Sequence, residues 1–291
     1  MISKKNLAKE ADFLQGLQII LETYEEIAAS RMERIRSSVL KSRDFLLEIN
    51  AIFQQVKSSY KNRIDILMKK NKVKDPSKLT FIKRNGKTVY VLVTANTRLY
   101  GEIIQKTYDV FIENLIKENK DVIIIGKLGA SLFDADKEKF KTTVTYFDFP
   151  DNRIDYDALK KITEVIIQYE QAVVFYQQFS SVINQLPIIT NISGDPLPWE
   201  ENGPEVKFLF EPSLEKIMAF FEKEIFKTIF EQTIFESELA KFAARMLALD
   251  ASSGNTKNKV KELLFQKEQF RHQQINRKQL ETFSSMKLWK K

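Results

Sequence analysis

The apolar positions near the start of the chain recur with helical spacing. Leu14, Leu21, Ala28 and Ile35 lie seven residues apart, and Leu17 and Tyr24 fall between them. Alternating three- and four-residue steps mark a coiled-coil seam, a stripe that a partner helix must cover. After Ile35 the stripe steps by four to Val39 and continues through Leu46 and Phe53, flanked by Ile49 and Val56. That step reads as a stutter, an insertion that locally unwinds a left-handed supercoil. No Pro interrupts the run before Pro76, so the spacing predicts one helix over about residues 4–70. A second seam lies near the other end, where Phe235, Leu239, Phe242, Met246 and Leu249 step by four, three, four and three. It follows Pro212 and Ser213, which suit a helix start, and it is the obvious cover for the first seam. Small and polar residues at 252–256 interrupt it where a helix would end, yet Val260, Leu263, Leu264 and Phe270 restore the apolar side.

Between the two seams the period changes. Residues 87–94 (KTVYVLVT) and 121–126 (DVIIIG) read as buried strands rich in β-branched side chains, and residues 142–149 as a third, more alternating strand. A helix with Ile103, Ile104, Phe111 and Leu115 on one side separates the first two. Residues 155–171 look helical, and residues 172–192 look like one or two strands bent near Pro187. This rhythm predicts a mixed α/β unit with right-handed crossovers. The expected division is an N-terminal coiled-coil helix over residues 1–75, an inserted α/β domain over 76–205, and a C-terminal coiled-coil helix over 206–291.

Composition narrows the chemistry. Cys is absent and His272 is the single His, so disulfides, thiolate zinc sites and His clusters have no ligands, and a His-based dyad is a poor candidate. Only 8 Gly and 7 Pro suit long helices with few turns. The net charge of +7 fits either an ordinary Lys-rich surface or an acidic partner. No continuous apolar core marks a signal peptide and no window is long enough for a membrane span, so a cytoplasmic protein is expected.

Candidate sites are few. Gly126-Lys127-Leu128-Gly129 after the second strand looks faintly like a phosphate loop, but neither GxxxxGK[ST] nor GxGxxG occurs. Asp134, Asp136 and Glu138 sit in a Lys-rich polar stretch and read as a solvated face, as does His272. The Lys and Arg run after Thr256 lacks the aromatic interleaving of a single-strand platform and any helix-turn-helix or RRM signature, so no nucleic acid is expected. No catalytic, cofactor or metal site is expected.

Two stretches resemble a known family. Residues 25–38 (EEIAASRMERIRSS) are similar to the N-terminal helix of the gamma subunit of F-type ATP synthases. Residues 235–258 resemble that family's C-terminal signature in Glu236-Ser237, Ala243-Ala244-Arg245, Ala248-Leu249 and the patch 251–256. Phe210-Glu211-Pro212-Ser213 fits its usual Tyr-Glu-Pro-Ser. The resemblance implies an antiparallel two-helix coiled coil from both termini, with the inserted domain Rossmann-like and forming a foot. It implies a central-stalk rotor without nucleotide or cofactor of its own, turning inside a ring of alpha and beta subunits that hold the ATP sites. It further implies epsilon and the c-ring as foot partners, and a peripheral place on the inner face of the cell membrane. By position in the motif, Arg31 and Arg245 are candidates for ring contacts, with Lys257 and Asn258 weaker ones; an intrahelical ion pair or a solvated end is the alternative for the two arginines. Small side chains at 252–256 would let the shaft bend or the ring approach, with Gly254 a joint or a kink.

The foot departs from the family more than the shaft does. Arg98 and Glu102 replace two expected Gly in the turn after the first strand, Tyr24 stands where Met is common, and the tail ends SSMKLWKK. Ordinary epsilon and c-ring contacts are therefore in doubt, and a replacement foot partner is the alternative. The Lys-, Asn-, Ile- and Phe-rich composition resembles that of AT-rich wall-less bacteria such as mycoplasmas. With that resemblance comes a narrower variant, a paralogue in a motor that drives gliding or another task in place of proton-driven ATP synthesis. The competing class is a stand-alone basic coiled-coil adaptor or nucleic-acid-binding protein.

Overall fold

The computed structural model describes residues 4–59, 82, 84–118, 120–151, 153–192 and 213–288. The expected boundaries near 75 and 205, the helical residues 60–70 and Pro212 lie outside the described residues. The chain divides into two compact units, Met1–Ser30 with Arg245–Lys291, and Arg31–Ala244. Two helices serve both units: α1 (Lys4–Ser59) and α5 (Leu214–Leu288). Ser213 opens α5, its Oγ accepting from the Lys216 N–H at 3.4 Å.

The unit Arg31–Ala244 holds the sheet. In chain order it contains β1 (Thr88–Val93), α2 (Ile103–Lys117), β2 (Asp121–Ile125), α3 (Lys127–Asp136), β3 (Val144–Phe147), α4 (Tyr156–Ile166), β4 (Gln171–Phe179) and β5 (Gln185–Asn191). The strands lie in the order β3-β2-β1-β4-β5, parallel except for the antiparallel edge strand β5. This is the mixed α/β, Rossmann-like arrangement.

The near-continuous apolar run of β1 follows from burial on both faces. Val89, Val91 and Val93 share one core with Leu159 and Ile162 of α4 and with Phe226, Phe230 and Ile234 of α5. Tyr90 and Leu92 point the other way, into a core with Tyr108, Phe111 and Leu115 of α2 and Phe133 of α3. The Asp155 side chain caps α4, accepting from the N–H groups of Asp157 and Ala158 at 3.1 and 3.0 Å.

The bend expected at Pro187 lies elsewhere. The chain turns at residues 180–184, where the N–H groups of Ser180 and Ser181 bond the Asn184 carbonyl at 3.3 and 3.0 Å. Pro187 sits inside β5, opposite Gln177. An edge strand tolerates it because one of its rows of N–H groups needs no partner strand.

Phe230 is 0% exposed at the contact of α5 with the sheet. Phe230→Ala should lower stability by about 3–5 kcal/mol, read from the denaturant midpoint of the purified chain. A loss below about 1 kcal/mol would mean that this helix does not close the core.

Candidate functional site

The helix-pair unit shows what covers the seams. Leu7, Ala11 and Leu14 of α1 pack with Leu263 of α5. Covered or half-covered positions on α1 run Leu7, Ala11, Leu14, Gln18, Leu21, Glu25 and Ala28, and on α5 Met246, Leu249, Ser253, Thr256, Val260 and Leu263. Both rows alternate steps of three and four. Leu17 is half-buried beside the row, but Tyr24, expected in the seam, is 51% exposed. Glu25 takes that position, because the row steps by four from Leu21 and not by three. The glutamate is harder to ionise than an ordinary carboxyl, through burial first and then the charges of Asp250, Glu22 and Glu26.

The same alternation holds on α1 within the sheet-bearing unit, through Ile35, Val39, Ser42, Leu46, Ile49 and Phe53. The step from Ile35 to Val39 is therefore a regular one and not a stutter. The helices run antiparallel in each unit. Glu25 lies near Asp250 while Leu7 meets Leu263; Arg31 meets Phe242 while Phe53 meets Phe221, ring centroids 5.7 Å apart.

The polar patch at 252–256 does not end the helix. Ser253, 8% exposed, and Thr256 occupy seam positions. The Ser252 and Thr256 hydroxyls donate back to the carbonyls of Ala248 and Ser252, at 2.7 and 2.8 Å. A Cβ placed on Gly254 would meet nothing within 4 Å. Away from the seam this unit exposes Phe13, Ile19, Ile20, Phe265 and Phe283, more apolar surface than an isolated helix pair needs.

The ring-contact candidates are scattered. Arg245 is half-buried, whereas Lys257 and Asn258 are exposed on α5. In the sheet-bearing unit the Arg31 guanidinium lies over the Phe242 ring, 5.7 Å from its centroid. Phe242 also meets Tyr100 edge-on at 6.3 Å, and Ile35 and Phe235 belong to the same unit, half-buried and buried. Leu239 is buried there too.

The turn after β2 is closed to phosphate. At a helix N-terminus the first N–H groups are free to hold an anion. Here the Lys127 N–H bonds the Asn96 side chain at 2.9 Å, the Leu128 N–H the Ala95 carbonyl at 2.9 Å, and the Gly129 N–H the Thr94 hydroxyl at 3.1 Å. The Lys127 ammonium is paired with Asp148 at 3.1 Å. Asp148 ionises more readily than usual, held first by the Asn96 amide and then by Lys127. Asp151 binds the same loop, accepting from the N–H groups of Asn96 and Thr97. Asp134 and Asp136 face separate partners, Tyr146 and the pair Tyr108 and Lys139. Among the described residues no group of three or more His, Asp or Glu could hold a metal.

The sequence reading missed a polar joint between α5 and the sheet. Lys241, 1% exposed, donates from Nζ to the Thr94 carbonyl at 2.8 Å and to Glu238 Oε1 at 2.5 Å. The Ser237 hydroxyl donates to Gln177 Oε1 at 2.7 Å, and Gln177 Nε2 donates to the Val93 carbonyl and the Thr107 hydroxyl, both at 3.0 Å. The available signal was a lysine inside an apolar run, Leu239-Ala240-Lys241-Phe242-Ala243-Ala244, three residues after a glutamate.

A family model described as ATP synthase matches residues 3–287. The chain belongs to the ATP synthase gamma family. Among its relatives, the ATP synthase gamma chain of Desulforamulus reducens is 23% identical over 278 residues, covering 90% of each chain. The ATP synthase gamma chain of Mesoplasma florum is 25% identical over 267 residues, covering 88% of each. The fold is similar to a chain in the central stalk and c-ring structure of the Tetrahymena thermophila mitochondrial ATP synthase, with TM-score 0.54 and 15% identity over 80% of this chain and 99% of that one. The coiled coil and the Rossmann-like sheet of this gamma-family chain are thus the family fold.

Two outcomes follow. Gly126 has φ 102°, and a Cβ there would lie 2.7 Å from the Thr94 hydroxyl and 2.8 Å from the Ala95 nitrogen. Gly126→Ala should cost about 1–3 kcal/mol or more in urea unfolding. Glu25 has a raised carboxyl pKa, so its contribution to stability is complete below the unfolded value and is lost as pH rises through the folded one. Glu25→Gln should therefore raise the melting temperature at neutral pH and flatten its fall between mildly acidic and neutral buffer. An unchanged pH profile would place Glu25 outside the seam.

Proposed function

We propose that this chain is the central-stalk rotor of an F-type ATPase, coupling ATP turnover in a surrounding ring of alpha- and beta-type subunits to rotation. The observation that carries this reading is an antiparallel helix pair joined to a Rossmann-like unit in a chain of the gamma family. At 75 residues, α5 is far longer than an ordinary globular helix, as a shaft requires. The spent N–H groups after β2 fit a subunit whose nucleotide is held by its partners.

The mechanism follows from asymmetry. Each catalytic partner opens or closes according to the shaft face it meets, and ATP turnover shifts that equilibrium in sequence around the ring. A shaft must resist twisting, which two wound helices do. It must also slide, which calls for many weak contacts, and exposed charge pairs of about 0–1 kcal/mol can be remade at each step. Lys257 is exposed and fits that role, with the exposed Asn258 amide beside it offering a neutral hydrogen bond; Arg31 and Arg245, both half-buried, fit a role at its margin. Among the described residues no helix is long and apolar enough to cross a membrane. Attachment to the inner face of the membrane would pass through the foot and its partner, whether epsilon and a c-ring or a replacement.

Isolation of the tagged chain from its native cells under mild conditions tests the reading. Stoichiometric recovery of ATP-binding alpha- and beta-type subunits is expected. Recovery of the chain alone, or with nucleic acid, would overturn it. A c-ring in the same fraction identifies a proton-driven machine, and a ring of catalytic subunits without one identifies a motor with another task.

A further inference from the structure

An open α/β sheet takes its ligands in the crevice outside the carboxyl ends of the strands, at the point where the strand order reverses. In this order that place lies between β1 and β4. Here the chain fills it with one turn of its own α5. Ser237, Glu238 and Lys241 are all buried. Their bonds reach the last residue of β1 and the one after it, β4 through Gln177, and α2 through Thr107. Beside them the Tyr176 hydroxyl of β4 donates to Glu236 of α5 at 3.4 Å. The preceding turns, with Phe226, Phe230 and Ile234, pack into an apolar core, and the next turn, with Ala244, into another.

The difference matters for a helix that carries torque. Apolar contact is non-directional, so a helix held by it alone can roll or slip within its socket at small cost. A hydrogen bond to a fixed carbonyl is directional and weakens steeply when misaligned. A buried ion pair is also a poor choice for stability alone, because desolvation offsets its attraction. What it supplies is a unique orientation.

We propose that Lys241, supported by Glu238 and Ser237, is the positioning key that fixes the rotational setting of α5 in the foot, so that torque on the helix pair reaches the sheet. The proposal rests on the rotor reading. It makes the joint a stiffness element distinct from any contact with the ring.

The test uses the reconstituted complex with a bead fixed to the sheet-bearing unit, and reads torsional stiffness from the bead's angular fluctuation in a stalled state. Lys241→Met removes the cation but leaves a carboxylate in the crevice. Lys241→Met with Glu238→Leu removes both charges and keeps the volume filled. The double variant should melt close to the parent as an isolated full-length chain. Its torsional stiffness in the complex should fall by about twofold, as expected when apolar contact replaces directional bonds. Parental stiffness in a double variant of parental stability would overturn the proposal. Should the double variant melt well below the parent, Lys241→Met with Glu238→Gln, which leaves a neutral hydrogen-bonding group in the crevice, takes its place, and parental stiffness there overturns the proposal equally. Failure of the rotor reading is separable, because in that case the parent complex itself does not assemble or turn under ATP.

Discussion

Between Thr233 and Ala244, α5 has almost no side that faces water. An ordinary surface helix has one apolar stripe and one solvated face. This segment instead presents Phe235, Leu239 and Phe242 as its seam, and Phe230 and Ile234 lead into it along the sheet. Ser237, Glu238 and Lys241 enter the end of the sheet. The demand that one helix satisfy two neighbours at once sets much of the rest. It accounts for the alanines at 240, 243 and 244, all buried where the segment packs against both neighbours. It also explains why Ser237, Glu238 and Lys241 each have a hydrogen-bond partner, since an unpaired group in such a place would cost more than the segment could recover.

The sheet keeps a ligand-binding topology while its ligand positions are spent. The first turn of α3 gives its N–H groups to residues 94–96, and Gly126 and Gly129 bring that turn too close to Thr94 for any side chain to fit. Close backbone approach, which in a nucleotide-binding sheet makes room for a phosphate, here makes room for the loop after β1. Asp148 and Asp151 hold that loop from the other side. The glycines therefore serve packing. A motif search could exclude a phosphate loop but could not see what replaced it.

The elements most readable from sequence were those with a long period. Two seams of many steps specify helices because no local accident sustains the alternation, and the β-branched run Thr88–Val93 specifies a strand buried on both faces. Phase was less legible. A seam alternates three and four, and from Leu21 the sequence offered Tyr24 or Glu25; the aromatic residue was the natural choice, and Glu25 holds the place. One wrong phase then made a regular step at Val39 look like an insertion. Pro187 was read as a bend because a proline inside a strand is allowed only at an edge, and edge position is a property of the sheet, not of the segment. Lys241 stood out as a lysine in an apolar run, but its role was hidden for a related reason. Its burial depends on Thr94, which lies far away in the sequence and meets it only when the chain has folded.

The hydroxyls at Ser252 and Thr256 have a consequence for friction. Each is already bonded to a carbonyl of its own helix, and Gly254 between them adds no side chain. A stretch of surface whose polar groups are satisfied from within has little to gain from any one neighbour over the next. On the rotor reading, that leaves the enclosing walls without a favoured angle at this level. At Ser252 and Gly254 resistance to turning would then be set by shape, as in a journal polished where it runs through its bearing, and directional contacts would begin only at Lys257.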